Sequence, residues 1–341
     1  MRVLVTGSAG FIGGAVADRL EAQGDEVVRV DLLITEAHAP GTTAERTHLV
    51  DVRDAAALRP LLDGVDVVCH QAAMVGAGVT VADLPAYASH NDLGTAVLLA
   101  AMHEAGVHRL VAASSMVVYG EGRYTCAEHG DQVPRPRSVQ ALEAGDFENH
   151  CRVCGRPLDW ALVDEEARLD PRSSYAASKV ATEHYVGAWV RQAPGAAVAL
   201  RYHNVYGPRM PRDTPYSGVA ALFRSAVERG GPPEVFEDGG QMRDFVHVDD
   251  VARANLLAAE AVGEPGFSAY NVCSGTPVSI LDVARAVAGS GPEPEVTGRY
   301  RLGDVRHVVA SPERAARALG FRAQVEPAVG LAAFRDDPLR T

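Results

Sequence analysis

A chain of 341 residues with 47% hydrophobic and 22% charged residues has ample material for a large globular core in one domain or two lobes. Its formal charge of −12 argues against non-specific binding to nucleic acid or acidic membranes, leaving room only for a local basic pocket. No apolar run is long enough to span a bilayer, and the first strand starts too early for a signal peptide. Five cysteines, an odd number, do not suggest a disulfide framework, so the expectation is a cytoplasmic protein.

The first element is the short apolar strand Arg2-Val3-Leu4-Val5, followed directly by Thr6-Gly7-Ser8-Ala9-Gly10-Phe11-Ile12-Gly13 and by a helical pattern with Ala15, Val16 and Leu20. Strand, glycine turn and helix together form a dinucleotide fingerprint. Gly7 permits the tight turn, Gly10 lets the backbone approach a pyrophosphate, and Gly13 lets helix and strand pack closely. Phe11 and Ile12 complete the loop, and the diphosphate rests on free N–H groups at the positive end of the helix. A second strand, Glu26 to Val30, ends at Asp31. A carboxylate there takes both ribose hydroxyls of an adenosine and repels a 2′-phosphate, which favours NAD over NADP.

Val65 to His70 reads as a buried strand, Asn91 to His103 as a helix, and Arg109 to Ala113 as the next strand. Ser173 to Val190 reads as a long helix, and Val198 to Arg201 as another strand. Repeated β-α-β units predict a doubly wound α/β fold, a parallel sheet with helices on both faces. Ligands then gather beyond the carboxyl ends of the strands, where Gly7, Asp31, Ala72, Ser114 and Tyr202 fall. Residues 1–207 are expected to form this dinucleotide-binding domain. After Gly207, proline and glycine become frequent, so residues 208–341 are read as mainly a smaller substrate lobe, with some segments returning to the first domain. No internal repeat or low-complexity tail is evident. His70 and His203 read as structural, and Cys69 and Cys273 as buried small apolar residues.

Residues 121–170 fit neither lobe and read as an insertion. Cys126-Ala127-Glu128-His129 and Cys151-Arg152-Val153-Cys154-Gly155 carry the ligand spacing of a zinc knuckle. Three thiolates and one imidazole would close the shell around a structural zinc, leaving no open catalytic position. The alternatives are two unrelated cysteine clusters, or a redox pair that lacks a thioredoxin-like context.

Ser114-Ser115-Met116-Val117 follows a strand, and Tyr175-Ala176-Ala177-Ser178-Lys179 lies on a helix. A spacing of four puts Tyr175 and Lys179 on one helical face. The ammonium stabilises a phenolate, which suits Tyr175 to act as general base for a sugar hydroxyl, with Ser115 bonding the same oxygen. Lys179 can also hold the nicotinamide ribose.

These pieces together resemble the extended short-chain dehydrogenase/reductase family, the Rossmann-type group containing nucleotide-sugar epimerases and dehydratases. The resemblance covers nearly the whole chain apart from the insertion. Arg201 to Arg209 is similar to the family segment between cofactor and sugar nucleotide, with His203 standing where phenylalanine is usual. It implies that Asn204 contacts the substrate diphosphate region and that Tyr202 lies near the nicotinamide. Gly239 to Phe245 and Gly303 to His307 resemble two further family motifs, which implies that Arg243 and Arg306 grip the diphosphate. Asp51 and Val52 would flank the adenine, Ala72 and Ala73 would line the cofactor, and Asn91 would fix the helix beside it. A homodimer through the Asn91 and Tyr175 helices is also implied, and both carry apolar residues beyond one stripe: Val97, Leu98 and Leu99, then Val180, Tyr185, Val186 and Trp189.

The family's common first step is hydride removal from sugar C4. A 4,6-dehydratase usually carries an Asp-Glu pair where this chain has Met116 and Val117, a decarboxylating relative carries a nearby glutamate, and uronate epimerases tend to offer hydroxyls. What remains is an NAD-dependent 4-epimerase of a dTDP- or UDP-hexose. The apolar Met116-Val117 pair tolerates a methyl at C6, and a similar cysteine-containing insertion occurs in bacterial epimerases acting on dTDP-L-rhamnose-like sugars. The readings kept beside it are a 4-ketoreductase or dehydratase, a UDP-glucuronate 4-epimerase, and a non-catalytic NAD(H) sensor with a zinc interaction module.

Overall fold

In the computed structural model, which describes residues 1–34, 38, 44–76, 80–212 and 218–340, the chain enters through β1 (Arg2–Thr6), turns into α1 (Phe11–Gln23), and returns as β2 (Glu26–Asp31) and β3 (Thr47–Leu49). The short α2 (Ala55–Leu58) leads to β4 (Val67–His70). Then α3 (Leu84–Tyr87), a π-helical turn (Ala88–Leu93) and α4 (Gly94–Glu104) run on without a break to β5 (Arg109–Ser115). The insertion holds β6 (Arg123–Cys126), β7 (Gly130–Gln132), α5 (Val139–Glu143) and β8 (Asp159–Ala161), and the long α6 (Ser174–Gln192) and β9 (Ala196–Tyr202) follow. The remainder includes β10 (Asn204–Tyr206), α7 (Val219–Glu228), β11 (Glu234–Val235), β12 (Met242–His247), α8 (Val248–Ala261), β13 (Gly266–Val272), β14 (Pro277–Ser279) and α9 (Ile280–Ala288).

Seven strands pair in the order β13-β9-β5-β4-β1-β2-β3, every pairing parallel. Such a sheet must be covered on both faces, which is why β9 is a run of seven buried residues rather than an alternating pattern. One face packs Val16 and Leu20 of α1 with Val251 and Ala258 of α8. The other packs Leu98 and Met102 of α4 with Val186 and Trp189 of α6. From β1 the chain winds outward through β2 and β3, then crosses back to β4 and winds the other way. The crevice between the ends of β1 and β4 is the switch point where such sheets bind ligands.

A third apolar cluster, with Tyr206, Phe223, Phe245 and Val283, builds the lobe above those strand ends around the β10-β12-β14 sheet. Residues 248–272 return to the first layer, where α8 packs on α1 and β13 extends the sheet edge. Near the C-terminus the chain returns to the mouth of the crevice. Arg209 N–H donates to the Pro338 carbonyl (2.7 Å), Arg340 N–H to that of Met210 (3.0 Å), and the Arg340 guanidinium to that of Ala9 (2.6 Å).

The extra apolar residues on α4 and α6 are largely used within the protomer. Leu98, Leu99, Val186 and Trp189 belong to its own core, while Leu93 and Tyr185 stay exposed. His70 is structural, as expected. Thr6 Oγ1 takes the Gln71 and Ala72 N–H groups (both 3.1 Å) and so turns its own proton to His70 Nδ1 (2.8 Å), while His70 Nε2 meets Thr95 Oγ1 at 3.2 Å. Burial pushes its pKa down to about 3 and keeps the ring neutral.

Behind the ends of β5 and β9 lies a buried ion pair. Arg201 donates to both carboxylate oxygens of Glu183 on α6, from Nε at 2.9 Å and Nη2 at 2.7 Å, with the side chains 5% and 3% exposed. Ser114 Oγ donates to the same carboxylate at 2.5 Å, and Arg201 Nη1 donates to the Tyr119 hydroxyl at 2.9 Å. Truncating Glu183 strands a buried guanidinium, a change that costs about 3–5 kcal/mol. Glu183→Ala should therefore lower the unfolding free energy by that order, read as a lower urea midpoint at unchanged slope, and an unchanged midpoint would show that the pair does not hold α6 to the sheet.

Candidate active site

A cleft of about 560 Å³ opens at the switch point, with Gly7, Gly10, Phe11, Ile12 and Gly13 along one wall. Gly7 has φ +67°, and a side chain there would sit 2.7 Å from the Ala72 nitrogen. At Gly13 a Cβ would lie 2.0 Å from the Gly7 carbonyl oxygen, so only glycine lets α1 start this close to β1. α1 begins at Gly10 without a side-chain cap, which leaves its first N–H groups to a ligand. Asp31 faces the same cleft, fixed by N–H groups of Ala9 on Oδ2 (3.0 Å) and Leu33 on Oδ1 (2.8 Å). Asp51, Val52, Ala72 and Ala73 line it too. Asp51 is forked by Arg53 at 2.6–3.0 Å, and those hydrogen bonds hold its carboxyl below the usual range. The cradle fits a dinucleotide: a helix end for the diphosphate and a carboxylate for the ribose.

Ser115, Tyr175, Tyr202, His203 and Asn204 also line the cleft. Seclusion from water pushes the Tyr175 phenol up to about 12, against the pull of its hydrogen bond with Ser115. This differs from the expectation that Lys179 brings the phenol toward neutrality. Lys179 stands behind the wall, its Nζ donating to the Ala113 carbonyl at 2.9 Å and lying 5.8 Å from the Tyr175 ring centre. Burial pushes its own pKa down to about 8, with Glu183 opposing. The Tyr202 hydroxyl donates to Gln71 Oε1 (3.0 Å) and accepts from Asn255 Nδ2 (2.8 Å). Asn91 is also a layer back. On the π-helical turn, a distortion common at functional sites, it clamps both backbone groups of Met74 (2.7 and 2.9 Å) and donates to Ser178 Oγ (2.8 Å). His203, read as structural, forms part of the wall, with burial pushing its ring down to about 3.

Asn204 also borders a second cavity of about 730 Å³ in the lobe, lined further by Phe236, Arg243, Arg301 and Asp304. Met116, expected at the substrate, lines neither cavity and stands against the Asn204 side chain, its sulfur 3.5 Å from Nδ2. Among the described residues, the Arg243 guanidinium bonds to backbone carbonyls of Met242 (2.9 Å), Val305 (2.6 Å) and Arg306 (2.8 Å), so its charge has no direct counterion there. Burial lowers its pKa, as for a cation that lacks an anionic partner.

Arg306 departs from expectation. It borders neither cavity, and its side chain is fully buried against Glu148, Glu237 and Asp238 at 2.6–3.0 Å. Three carboxylates consume its donors, so none remains for a phosphate. The arginine that faces the cavity in this segment is Arg301, held over the Phe236 ring at 5.0 Å. Sequence reading missed Arg301 and Asp304. The signal was a second arginine five residues ahead of the chosen one, in a stretch without period to rank them.

In the insertion, Cys126, His129, Cys151 and Cys154 converge, their ligand atoms all within 4.8 Å of one another. Cys126 Sγ lies 3.8 Å from Cys154 Sγ and 3.4 Å from His129 Nδ1, and Cys151 Sγ is 3.6 Å from that nitrogen. Two sulfurs bound 2.3 Å from a tetrahedral zinc stand about 3.8 Å apart, whereas a disulfide brings them to about 2.05 Å. The donor set fits one four-coordinate ion.

One cleft for a dinucleotide with a phenol in its wall, continuous at Asn204 with a cationic cavity, defines a Rossmann-type nucleotide-binding protein. Residues 3–141 and 153–273 match the NAD-dependent epimerase/dehydratase family, and the chain belongs to that family. It is 36% identical over 337 residues to a dTDP-L-rhamnose 4-epimerase of Burkholderia thailandensis, covering 95% of this chain and 91% of that protein. It is 32% identical over 340 residues to a UDP-glucose 4-epimerase of Mycolicibacterium smegmatis, covering 97% and 96%. The crystal structure of Thermus thermophilus UDP-glucose 4-epimerase with NAD superposes with a TM-score of 0.76 at 32% identity, covering 98% of each chain. No helix among the described residues is long and apolar enough to cross a membrane.

Proposed function

We propose that this protein is an NAD-dependent nucleotide-sugar 4-epimerase with Tyr175 as its acid–base group. The observation that carries the reading is the meeting at Asn204 of a dinucleotide cleft walled by Ser115 and Tyr175 and a cavity lined by Arg243 and Arg301. The glycine cradle and Asp31 hold the cofactor; Arg243 and Arg301 hold the substrate diphosphate, with the hexose between. NAD, when bound, supplies a hydride acceptor for C4 and a positive charge beside the phenol. Tyr175 takes the C4 hydroxyl proton and returns it after the keto-sugar has turned, while Ser115 bonds the same oxygen. Lys179 supports the phenolate by its charge and, through Ala113, ties the helix to the end of β5. No proton-transferring side chain stands at 116 or 117, which opposes elimination across C5 and C6. The apolar pair and the rhamnose-acting relative favour a 6-deoxyhexose on dTDP, with a UDP-hexose as the alternative.

Purified protein should interconvert two sugar nucleotides with no added NAD, whereas a ketoreductase would consume NADH stoichiometrically. Tyr175→Phe should keep cofactor and sugar-nucleotide binding but lower kcat by about 10²–10⁴, the usual effect of losing a general base. Near-wild-type turnover in that variant would sink the assignment.

The four-ligand cluster is read as a structural zinc site, a cross-link beside a small apolar cluster of Tyr124, Cys126, Cys151 and Leu158. Purified protein should then hold about one zinc per chain by elemental analysis. Cys151→Ser should lose it and expose the insertion to protease with bound NAD retained; a metal-free protein with an equally protected insertion would refute the site. Cysteines paired in no disulfide, three of them read as zinc ligands, suit the reducing cytoplasm. The exposed Leu93 and Tyr185 mark the helix face for a homodimer, and a monodisperse monomer at micromolar concentration in light scattering would exclude one.

A further inference from the structure

The family match is interrupted between residues 141 and 153, and Glu148 lies inside that gap. One of its oxygens accepts from Arg306 Nε (3.0 Å) and Nη2 (2.6 Å), and the other stands 3.1 Å from His307 Nε2. Met242 N–H occupies His307 Nδ1 (3.0 Å), so the ring proton is on Nε2 and points at Glu148. Burial alone would raise this carboxyl, but hydrogen bonds from His307 and Arg306 outweigh it and hold it at about 2.

Other contacts join the insertion to the same short segment. His307 N–H donates to the Tyr124 hydroxyl at 3.0 Å, Arg306 N–H to Glu121 at 3.1 Å, and Arg137 to the Asp304 carbonyl at 2.7 Å. Tyr124 stands two residues before Cys126 and Glu148 three before Cys151, so ligands of the cluster sit beside the groups that reach out. On its opposite side the segment presents Arg301 and Asp304 to the second cavity, and its Val305 and Arg306 carbonyls hold the Arg243 guanidinium.

We infer that the Cys/His module is the outer support of the sugar-nucleotide site, with Glu148 as the positioning residue that seats segment 301–307 and so aims Arg243 and Arg301 at the diphosphate. The inference rests on the reading of the second cavity as the nucleoside-diphosphate site. Because the support acts on the residues that hold the diphosphate, with Arg301 bordering both cavities, and touches neither Ser115 nor Tyr175, its loss should appear as weaker uniform binding: a raised KM with kcat little changed.

The test uses full-length protein and two probes, UDP and dTDP, titrated by calorimetry beside steady-state kinetics. Glu148→Ala should weaken the affinity for the bound diphosphate and raise the sugar-nucleotide KM about tenfold, as expected for losing hydrogen bonds to charged partners. kcat should stay within about twofold, and bound NAD and zinc should remain at wild-type levels. Glu148→Gln should recover part of the loss, since it keeps an acceptor for Arg306 but turns an amide N–H toward the His307 proton. Stripping zinc with a chelator should weaken diphosphate binding with NAD retained, and added zinc should restore it. Should the alanine variant lose its zinc, the glutamine variant carries the test alone. Unchanged diphosphate affinity in a zinc-loaded variant, or a fall in kcat at constant KM, would overturn the inference. If wild-type protein binds neither UDP nor dTDP, the reading of the cavity fails instead, so the two failures are distinguishable.

Discussion

The Arg201–Glu183 pair fixes where the long helix α6 lies along the sheet, and the chemistry of the cleft depends on that placement. Both charges are withdrawn from water, a cost recovered only when geometry is good and the remaining donors are satisfied. Here four of the five guanidinium donors are: Nε and Nη2 share the carboxylate with Ser114, and Tyr119 and the Glu165 carbonyl take the two protons of Nη1. Ser114 precedes Ser115, Arg201 precedes Tyr202, and Glu183 sits two helical turns beyond Tyr175. One buried network thus registers three separate elements whose next residues or turns line the cleft. A sliding of α6 by one turn, about 5.4 Å, would break the pair before it moved the phenol away from Ser115.

The parts legible from sequence are those that chain neighbours determine. Gly13 is demanded by the Gly7 carbonyl six residues earlier and Gly7 by the positive φ of its own turn, although the backbone that crowds Gly7 is the distant Ala72; Asp31 is set by the end of its own strand, and Tyr175 and Lys179 by helical spacing. The cysteine pairs each carry their own turn, so their convergence could be expected from spacing alone. Arg301 and Arg306 could not be ranked, because what separates them is an acidic trio drawn from residues 148, 237 and 238. Likewise, Lys179 and Asn91 lie one layer behind the wall for reasons of depth, and no period in a sequence reports depth. The rise of the Tyr175 phenol to about 12 belongs to the same class, since burial is a property of the assembled fold.

The two cavities are built differently. The cofactor cleft rests on strand ends of a parallel sheet packed on both faces, and its groups are positioned by the most buried part of the molecule. The second cavity is formed by α7 together with loops and short strands, among them a segment held between the lobe and a module with a small core of its own. Rigidity in the first suits a cofactor that stays through many turnovers. Adaptable surroundings in the second suit a ligand that must enter, turn and leave.

The return of the C-terminal segment to the cleft, where Arg340 reaches Ala9 and pairs beside Met210 and Pro211, joins residues 331 positions apart in the chain. During synthesis the glycine loop is made 331 residues before the arginine that closes on it, an interval of roughly 17–66 seconds at 5–20 residues per second. Through that interval β1 and α1 can form, but this wall of the cleft is missing, and until residue 272 is made the sheet also lacks its β13 edge. A nascent chain therefore holds a partial cradle for the dinucleotide long before it holds a closed one. A dinucleotide seated in the cleft would bridge segments made at either end of that interval.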